Sequence, residues 1–156
     1  MIKTTLCYVY RGSQVLMVYR NKKENDFHLG KWNGLGGKIE PGETPEQGVI
    51  REVYEESGII IESPTLVGEC LFPNFEGHGE DEYVYIYVAT TDVMTVSDCL
   101  EGDLYWVEEK EILSLNLWES DQVFLPYVFR RIPFFGTFNF KGKKLINYQV
   151  EEKITY

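Results

Sequence analysis

Three glutamates, Glu52, Glu55 and Glu56, lie close together in the stretch Arg51-Glu52-Val53-Tyr54-Glu55-Glu56-Ser57-Gly58. At about 100° per residue they share one arc of a helix, at i, i+3 and i+4. Like charges four apart cost a helix roughly 0.2–0.5 kcal/mol, and the last turns already disfavour negative charge. Arg51 relieves part of this by pairing with Glu55. A locally unfavourable cluster often marks function. Carboxylate oxygens bind hard divalent cations, and such cations neutralise phosphate charge and acidify a bound water. By residue type alone, a solvated acidic helix face fits three glutamates equally well.

The helix that must carry them is well delimited. Thr44 fits the N-cap, Pro45 the first helical position, and Gln47 completes a Thr-x-x-Gln capping box. Gly58 fits the C-terminal stop. Val49, Ile50, Val53 and Tyr54 fall on one side, which should face a core. Upstream runs Trp32-Asn33-Gly34-Leu35-Gly36-Gly37. Glycines allow close backbone approach or tight turns. The Asn33 amide donates and accepts, so it can read a base edge, although Asn-Gly is also a strong turn dipeptide. Trp32 suits core packing as well as a ligand ring.

Gly37, five residues, Glu43, seven residues, then Arg51-Glu52-Val53-Tyr54-Glu55-Glu56-Ser57-Gly58-Ile59 resembles the Nudix box, G-x5-E-x7-R-E-U-x-E-E-x-G-U, at every fixed position. The resemblance implies hydrolysis of a nucleoside diphosphate linked to another group, with Mg2+ as cofactor and Mn2+ as substitute. By it Glu52, Glu55 and Glu56 bind metal, a main-chain carbonyl at Gly36 or Gly37 adds a ligand, and Arg51 pairs with Glu43 to brace loop against helix.

A longer likeness starts at WNGLGGKIEPGET and extends over most of the chain. It is similar to the MutT-like branch of the family, enzymes that clear oxidised purine nucleotides by attack at the β-phosphorus. That resemblance gives Asn33 to the purine edge and Phe27 to its pocket. Phe72 is assigned to the pocket border, though a core position suits it equally. Lys38 is assigned to a phosphate, though a solvent-facing lysine fits there too. Glu101 matches a glutamate that reaches the metal site. Trp118 matches a tryptophan that stacks on the base, and Asp121 the second of two adjacent aspartates that meet the base edge. Ser120 replaces the first, and its hydroxyl also donates, with shorter reach.

Length and composition set the frame. At 156 residues the chain should form one domain spanning 1–156, with room for a sizeable core. A net charge of −10 lacks the basic footprint that a nucleic acid polymer needs. It permits a nucleotide, because bound cations screen phosphate from carboxylate. Cys7, Cys70 and Cys99 are odd in number and show no CxxC spacing, which reads as free thiols in a reducing cytoplasm. No apolar run reaches membrane-spanning length, and no signal peptide is evident. A monomer or homodimer is expected. Lys22 and Lys23 read as solubilising residues and His78 as an exposed loop histidine.

Thr4–Tyr10 and Val15–Tyr19 read as a strand hairpin around Arg11-Gly12-Ser13. Ile59–Ile61 and Leu66–Val67 suggest a strand around a Ser63-Pro64 turn. Tyr83–Ala89 lacks polar alternation and should lie centrally. Strand residues before Val107 place Trp106 in the core, a short acidic helix follows over Glu108–Leu115, and Val123–Phe129 is helical with Pro126 in its first turns. Phe135–Phe140 and Leu145–Val150 form a last hairpin. Strands with few helices give an α/β or α+β class; the resemblance narrows this to the Nudix α/β/α sandwich, a mixed β-sheet between helices. The function it implies is hydrolysis of modified purine nucleoside triphosphates, such as 8-oxo-dGTP, to monophosphate and pyrophosphate. Two other readings are a nucleotide sugar, dinucleoside polyphosphate or pterin triphosphate as substrate, and a nucleotide-binding module without turnover.

Overall fold

Strand β1 (Ile2–Arg11) sends Cys7 and Val9 to one side and Tyr8 and Tyr10 to the other, and all four are buried. A strand covered on both faces must lie inside a sheet sandwiched between layers. The computed structural model shows this arrangement and describes residues 1–77 and 79–153; His78 lies outside the described residues. β1 pairs antiparallel with β2 (Gln14–Tyr19) across the expected turn, with Arg11 opposite Gln14. Its other edge runs parallel to β5 (Glu82–Thr90). β5 also pairs antiparallel with β4 (Thr65–Phe72), so the apolar Tyr83–Ala89 run is central as expected. β7 (Phe134–Lys141) runs parallel to β4 and turns into β8 (Lys144–Glu152), completing the hairpin. On the far side β2 pairs with β3 (Trp32–Asn33) and with β6 (Asp103–Glu108). The path is β3-β2-β1-β5-β4-β7-β8, with β6 attached to β2.

One helix covers each face. α1 (Pro45–Ser57) sets Val49 and Val53 against Cys7, Val9 and Leu16. α2 (Glu119–Arg130) sets Phe124, Leu125 and Val128 against Tyr8, Met17, Phe134 and Phe138. The mixed sheet between helices is the expected sandwich. A 3-10 helix at Glu109–Ser114 takes the place of the short acidic helix.

Some expectations change. Ile59–Ile61 forms no strand. Gly58 turns the chain out of α1 at φ 78°, and Ile59 and Ile61 then plug the α1-side core while Ile60 points outward. The alternation survives, but the segment is not part of the sheet. Trp106 is half-buried at the rim of that core, its Nε1 donating to the Met94 carbonyl at 2.9 Å. Pro126 sits mid-helix, because α2 begins four residues earlier than the apolar run suggests. Packing of Leu125 and Val128 on the sheet tolerates the helical bond that proline removes. The three cysteines are buried and free. Among the described residues no helix is long and apolar enough to cross a membrane.

Candidate active site

The glycine loop is laid along β1. Cys7 and Leu35 exchange backbone bonds of 2.6 and 3.0 Å, Thr5 N–H donates to the Gly37 carbonyl at 2.9 Å, and Ile39 N–H donates to the Lys3 carbonyl at 2.9 Å. This close approach requires glycine at 36 and favours it at 37. A Cβ on residue 36 would lie 1.9 Å from the Thr5 carbonyl oxygen, and one on residue 37 would lie 2.6 Å from the Glu52 carboxyl carbon. α1 faces this loop. Its capping box is formed, with Gln47 N–H to Thr44 Oγ1 at 3.1 Å and Thr44 N–H to Gln47 Oε1 at 2.9 Å. The cap fixes where the helix starts, and so where the three glutamates fall.

Glu56 points into the loop and accepts the Gly36 N–H at 2.8 Å. Burial pushes its carboxyl up to about 8, against the Gly36 hydrogen bond and with help from Glu52 and Glu101. Glu52 is half-buried and also raised by burial, with Arg51 opposing. Arg51 is the hub. Nε and Nη2 grip Glu43 at 2.7 and 3.1 Å, Nη2 donates to the Lys38 carbonyl at 3.0 Å, and Nη1 reaches Glu52 at 2.9 Å and Glu55 at 3.1 Å. The expected brace to Glu43 is thus present, and its first effect is to hold the Glu43 carboxyl below the usual range.

Glu101 faces the same end, paired with Arg20 at 2.8 Å and Lys23 at 3.0 Å. Among the described residues no three carboxylates converge as a ready cation site; Arg51 pairs with Glu52 and Glu55, and Arg20 and Lys23 pair with Glu101. The donor set nonetheless fits a hard divalent cation. It offers only oxygens, and burial holds the Glu56 carboxyl toward its protonated form, a cost that a neighbouring cation would offset. Of the two candidate carbonyls, that of Gly37 is turned to Thr5 and accepts both its N–H and, at 3.4 Å, its Oγ1. That favours Gly36 as the carbonyl ligand.

From this acidic end a cavity of about 1170 Å³ runs to an aromatic end. It is lined by Gly36, Gly37, Lys38, Glu52, Glu55, Glu56 and Glu101, and further along by Phe27, Asn33, Phe72, Trp118, Ser120 and Asp121. Every expected site residue except Arg51 therefore meets in one cleft. Lys38 sits near Glu82, a carboxyl that lines the cavity, accepts from Thr4 Oγ1 at 3.2 Å and is raised by burial.

At the aromatic end Trp118 is enclosed by other rings. Trp118 is 3% exposed, so its ring is no free platform. Phe27 stacks on it at 5.4 Å and 20°, Phe75 and Phe140 meet it edge-on, and Lys31 Nζ lies 5.1 Å over the ring. Four segments far apart in sequence converge there. Asp121 is also buried, accepts from Ser120 Oγ at 3.1 Å, and is pushed by burial up to about 7, with Ser120 and Lys31 opposing. Such a carboxyl can donate or accept near neutrality.

Arg20, Lys23, His28, Phe75 and Glu82 also line this cleft and were not among the expected site residues. Lys23, read above as solubilising, is a partner of Glu101. The only sequence signal was a cluster of cations, Arg20, Lys22 and Lys23, just after a strand in an acidic chain.

An α/β/α sandwich with a carboxylate-bearing helix set against a glycine loop defines a known class, and residues 2–128 match the NUDIX domain; the chain belongs to that family. It is similar to the oxidized purine nucleoside triphosphate hydrolase of Mus musculus, 32% identical over 95% of this chain and 93% of that protein. The Danio rerio protein of the same description is 31% identical over 96% and 92%. Among solved structures, the mutator MutT protein of Bacillus halodurans superposes with a TM-score of 0.85 at 27% identity, covering 97% of this chain and 98% of that one.

Proposed function

We propose that the chain, acting as one domain in the cytoplasm, hydrolyses modified purine nucleoside triphosphates such as 8-oxo-dGTP to the monophosphate and pyrophosphate, and so cleans the nucleotide pool. The observation that carries this reading is the single cavity with carboxylates at one end and the Phe27–Trp118 stack with Asn33 and Asp121 at the other. Those ends suit a triphosphate and a purine respectively. Similarity to hydrolases described as acting on oxidized purine nucleoside triphosphates supports the same substrate class.

Glu52, Glu55, Glu56 and Glu101, with the Gly36 carbonyl, are the donors for Mg2+, or Mn2+ in its place. Such an ion, when bound, supplies phosphate neutralisation and an acidified water. Arg20 and Lys23 line the same wall, which supports a role for them in meeting phosphate oxygens. The glutamate cluster provides the acceptor for the proton of the water that attacks the β-phosphorus. Arg51 keeps loop and helix in register and touches no substrate. At the other end Asn33 and Asp121 read the purine edge. Asp121, near its midpoint at neutral pH, can donate to a base that has gained an acceptor.

The test is pyrophosphate release with Mg2+ across a panel of 8-oxo-dGTP, dGTP, other modified purine and pyrimidine triphosphates, nucleotide sugars and dinucleoside polyphosphates. The expected result is the highest kcat/KM on an oxidised purine triphosphate. Turnover confined to nucleotide sugars or dinucleoside polyphosphates, or no turnover at all, overturns the proposal.

A further inference from the structure

The strap between β2 and β3 ties the two ends of the cleft together. At its start Arg20 reaches Glu101 at 2.8 Å and grips Asp26 through Nε and Nη2 at 2.8 and 2.9 Å. Asp26 Oδ1 then accepts the backbone N–H of His28 at 3.0 Å. The His28 side chain turns to the aromatic end, where its Nδ1 accepts the Trp118 indole N–H at 2.9 Å, the rings meeting at 82°. Phe27 and Phe75 enclose the imidazole, each with its centroid at 6.0 Å. Glu101, Arg20, Asp26, His28 and Trp118 thus form one continuous polar chain across the cavity wall.

An indole N–H only donates, and one this buried needs an acceptor. Trp118 stands at the N-cap of α2, so its backbone is set by the helix, and its ring is packed by Phe27, Phe75 and Phe140. Within that packing the bond to His28 gives the indole N–H its polar partner and fixes the direction in which it points. To accept there, Nδ1 must carry no proton; the ring is then neutral, with its proton on Nε2, which lies 4.0 Å from Glu76. Burial and Arg20 favour the neutral form; Asp26, Glu76 and Glu101 oppose them.

We infer that His28 is a positioning residue of the base pocket: its Nδ1 fixes the orientation of the Trp118 indole, and the Asp26–Arg20 link registers that orientation to the carboxylate end. What the pocket binds rests on the function proposed above; that His28 sets the indole does not.

The experiment uses the 15N-labelled protein and three variants. His28→Phe keeps an aromatic ring and removes the acceptor. His28→Asn keeps an acceptor, since Asn Oδ1 occupies the position of imidazole Nδ1. Trp118→Phe identifies the Trp118 indole resonance among the three tryptophans. In His28→Phe that resonance moves upfield as the hydrogen bond is lost, and in His28→Asn it returns toward the native position. KM for the preferred nucleotide rises about fivefold in His28→Phe with kcat changed far less, and His28→Asn recovers most of it. An unmoved resonance in His28→Phe, equal KM values in the Phe and Asn variants, or a loss confined to kcat overturns the inference. If the native protein turns over no purine triphosphate, the proposed function fails by itself, and the two resonance shifts still decide the role of His28.

Discussion

Ser120 Oγ donates to Asp121 Oδ1 at 3.1 Å in the first turn of α2, and both residues are buried. One carboxyl and one hydroxyl therefore share a dry corner of the cleft. Two carboxylates there would compete for one proton. With a serine beside it, Asp121 is raised by burial alone, to about 7.

Asp121 should therefore carry base discrimination. Asp121→Ala is expected to reduce the ratio of kcat/KM for 8-oxo-dGTP over dGTP by about tenfold or more, the value of a buried hydrogen bond to an ionisable group. Ser120→Asp should raise that ratio. Kinetics with both nucleotides in all three proteins check this, and unchanged ratios would place the purine elsewhere.

Stability should fall as pH rises in metal-free buffer. Asp121 and Glu56 have folded pKa values raised to about 7 and about 8, above their ordinary 3.8 and 4.5. A raised acid stabilises fully below its unfolded pKa and loses that contribution as pH climbs through the folded one. The window is thus about pH 4 to 8. Melting temperatures in EDTA should decline across it, less steeply for Asp121→Asn and Glu56→Gln. Mg2+ should restore the native protein most at the alkaline end. Parallel melting curves for all three proteins would contradict the assigned shifts.

Glu56→Gln keeps an acceptor for the Gly36 N–H but removes the charge. Turnover should drop by orders of magnitude while the fold persists, and the Mg2+-induced rise in melting temperature should shrink. Glu101→Gln should lower the rate less, since Glu101 is shared with Arg20 and Lys23. Near-native rates in Glu56→Gln would remove it from the metal site.

Arg51 binds Glu43 in a two-pronged grip and also holds the Lys38 carbonyl. Arg51→Ala should lower melting temperature and activity together. Arg51→Lys should rescue neither fully, because an ammonium cannot reproduce the planar fork. A lysine variant indistinguishable from native in both measurements would show that charge alone suffices.

The acidic end was legible because it is local. Helical periodicity puts Glu52, Glu55 and Glu56 on one arc, and the capping box fixes the start of the turn that carries them. The glycine loop was legible in part because only glycine fits at 36. The pairing of Lys23 with Glu101 spans 78 residues and depends on how two loops fold toward each other, which no periodicity encodes. Trp118 was legible as an aromatic at the pocket through resemblance, but its burial under Phe27 is a tertiary outcome. Ile59–Ile61 misled because β-branched residues alternate as in a strand whether or not an edge is free to receive them.

The two ends of the cleft are also completed at different points along the chain. The carboxylate end is complete once Glu101 has been made, whereas the aromatic end awaits Trp118, Ser120 and Asp121 at the head of α2. Phe27, Asn33 and Phe72 of that end come before Glu101, so only the last part of the base pocket follows the carboxylates in sequence. Substitutions at residues 118, 120 and 121 leave Glu52, Glu55, Glu56 and Glu101 in place, so under the proposed function a lineage can shift its diet of nucleotides without reinventing hydrolysis.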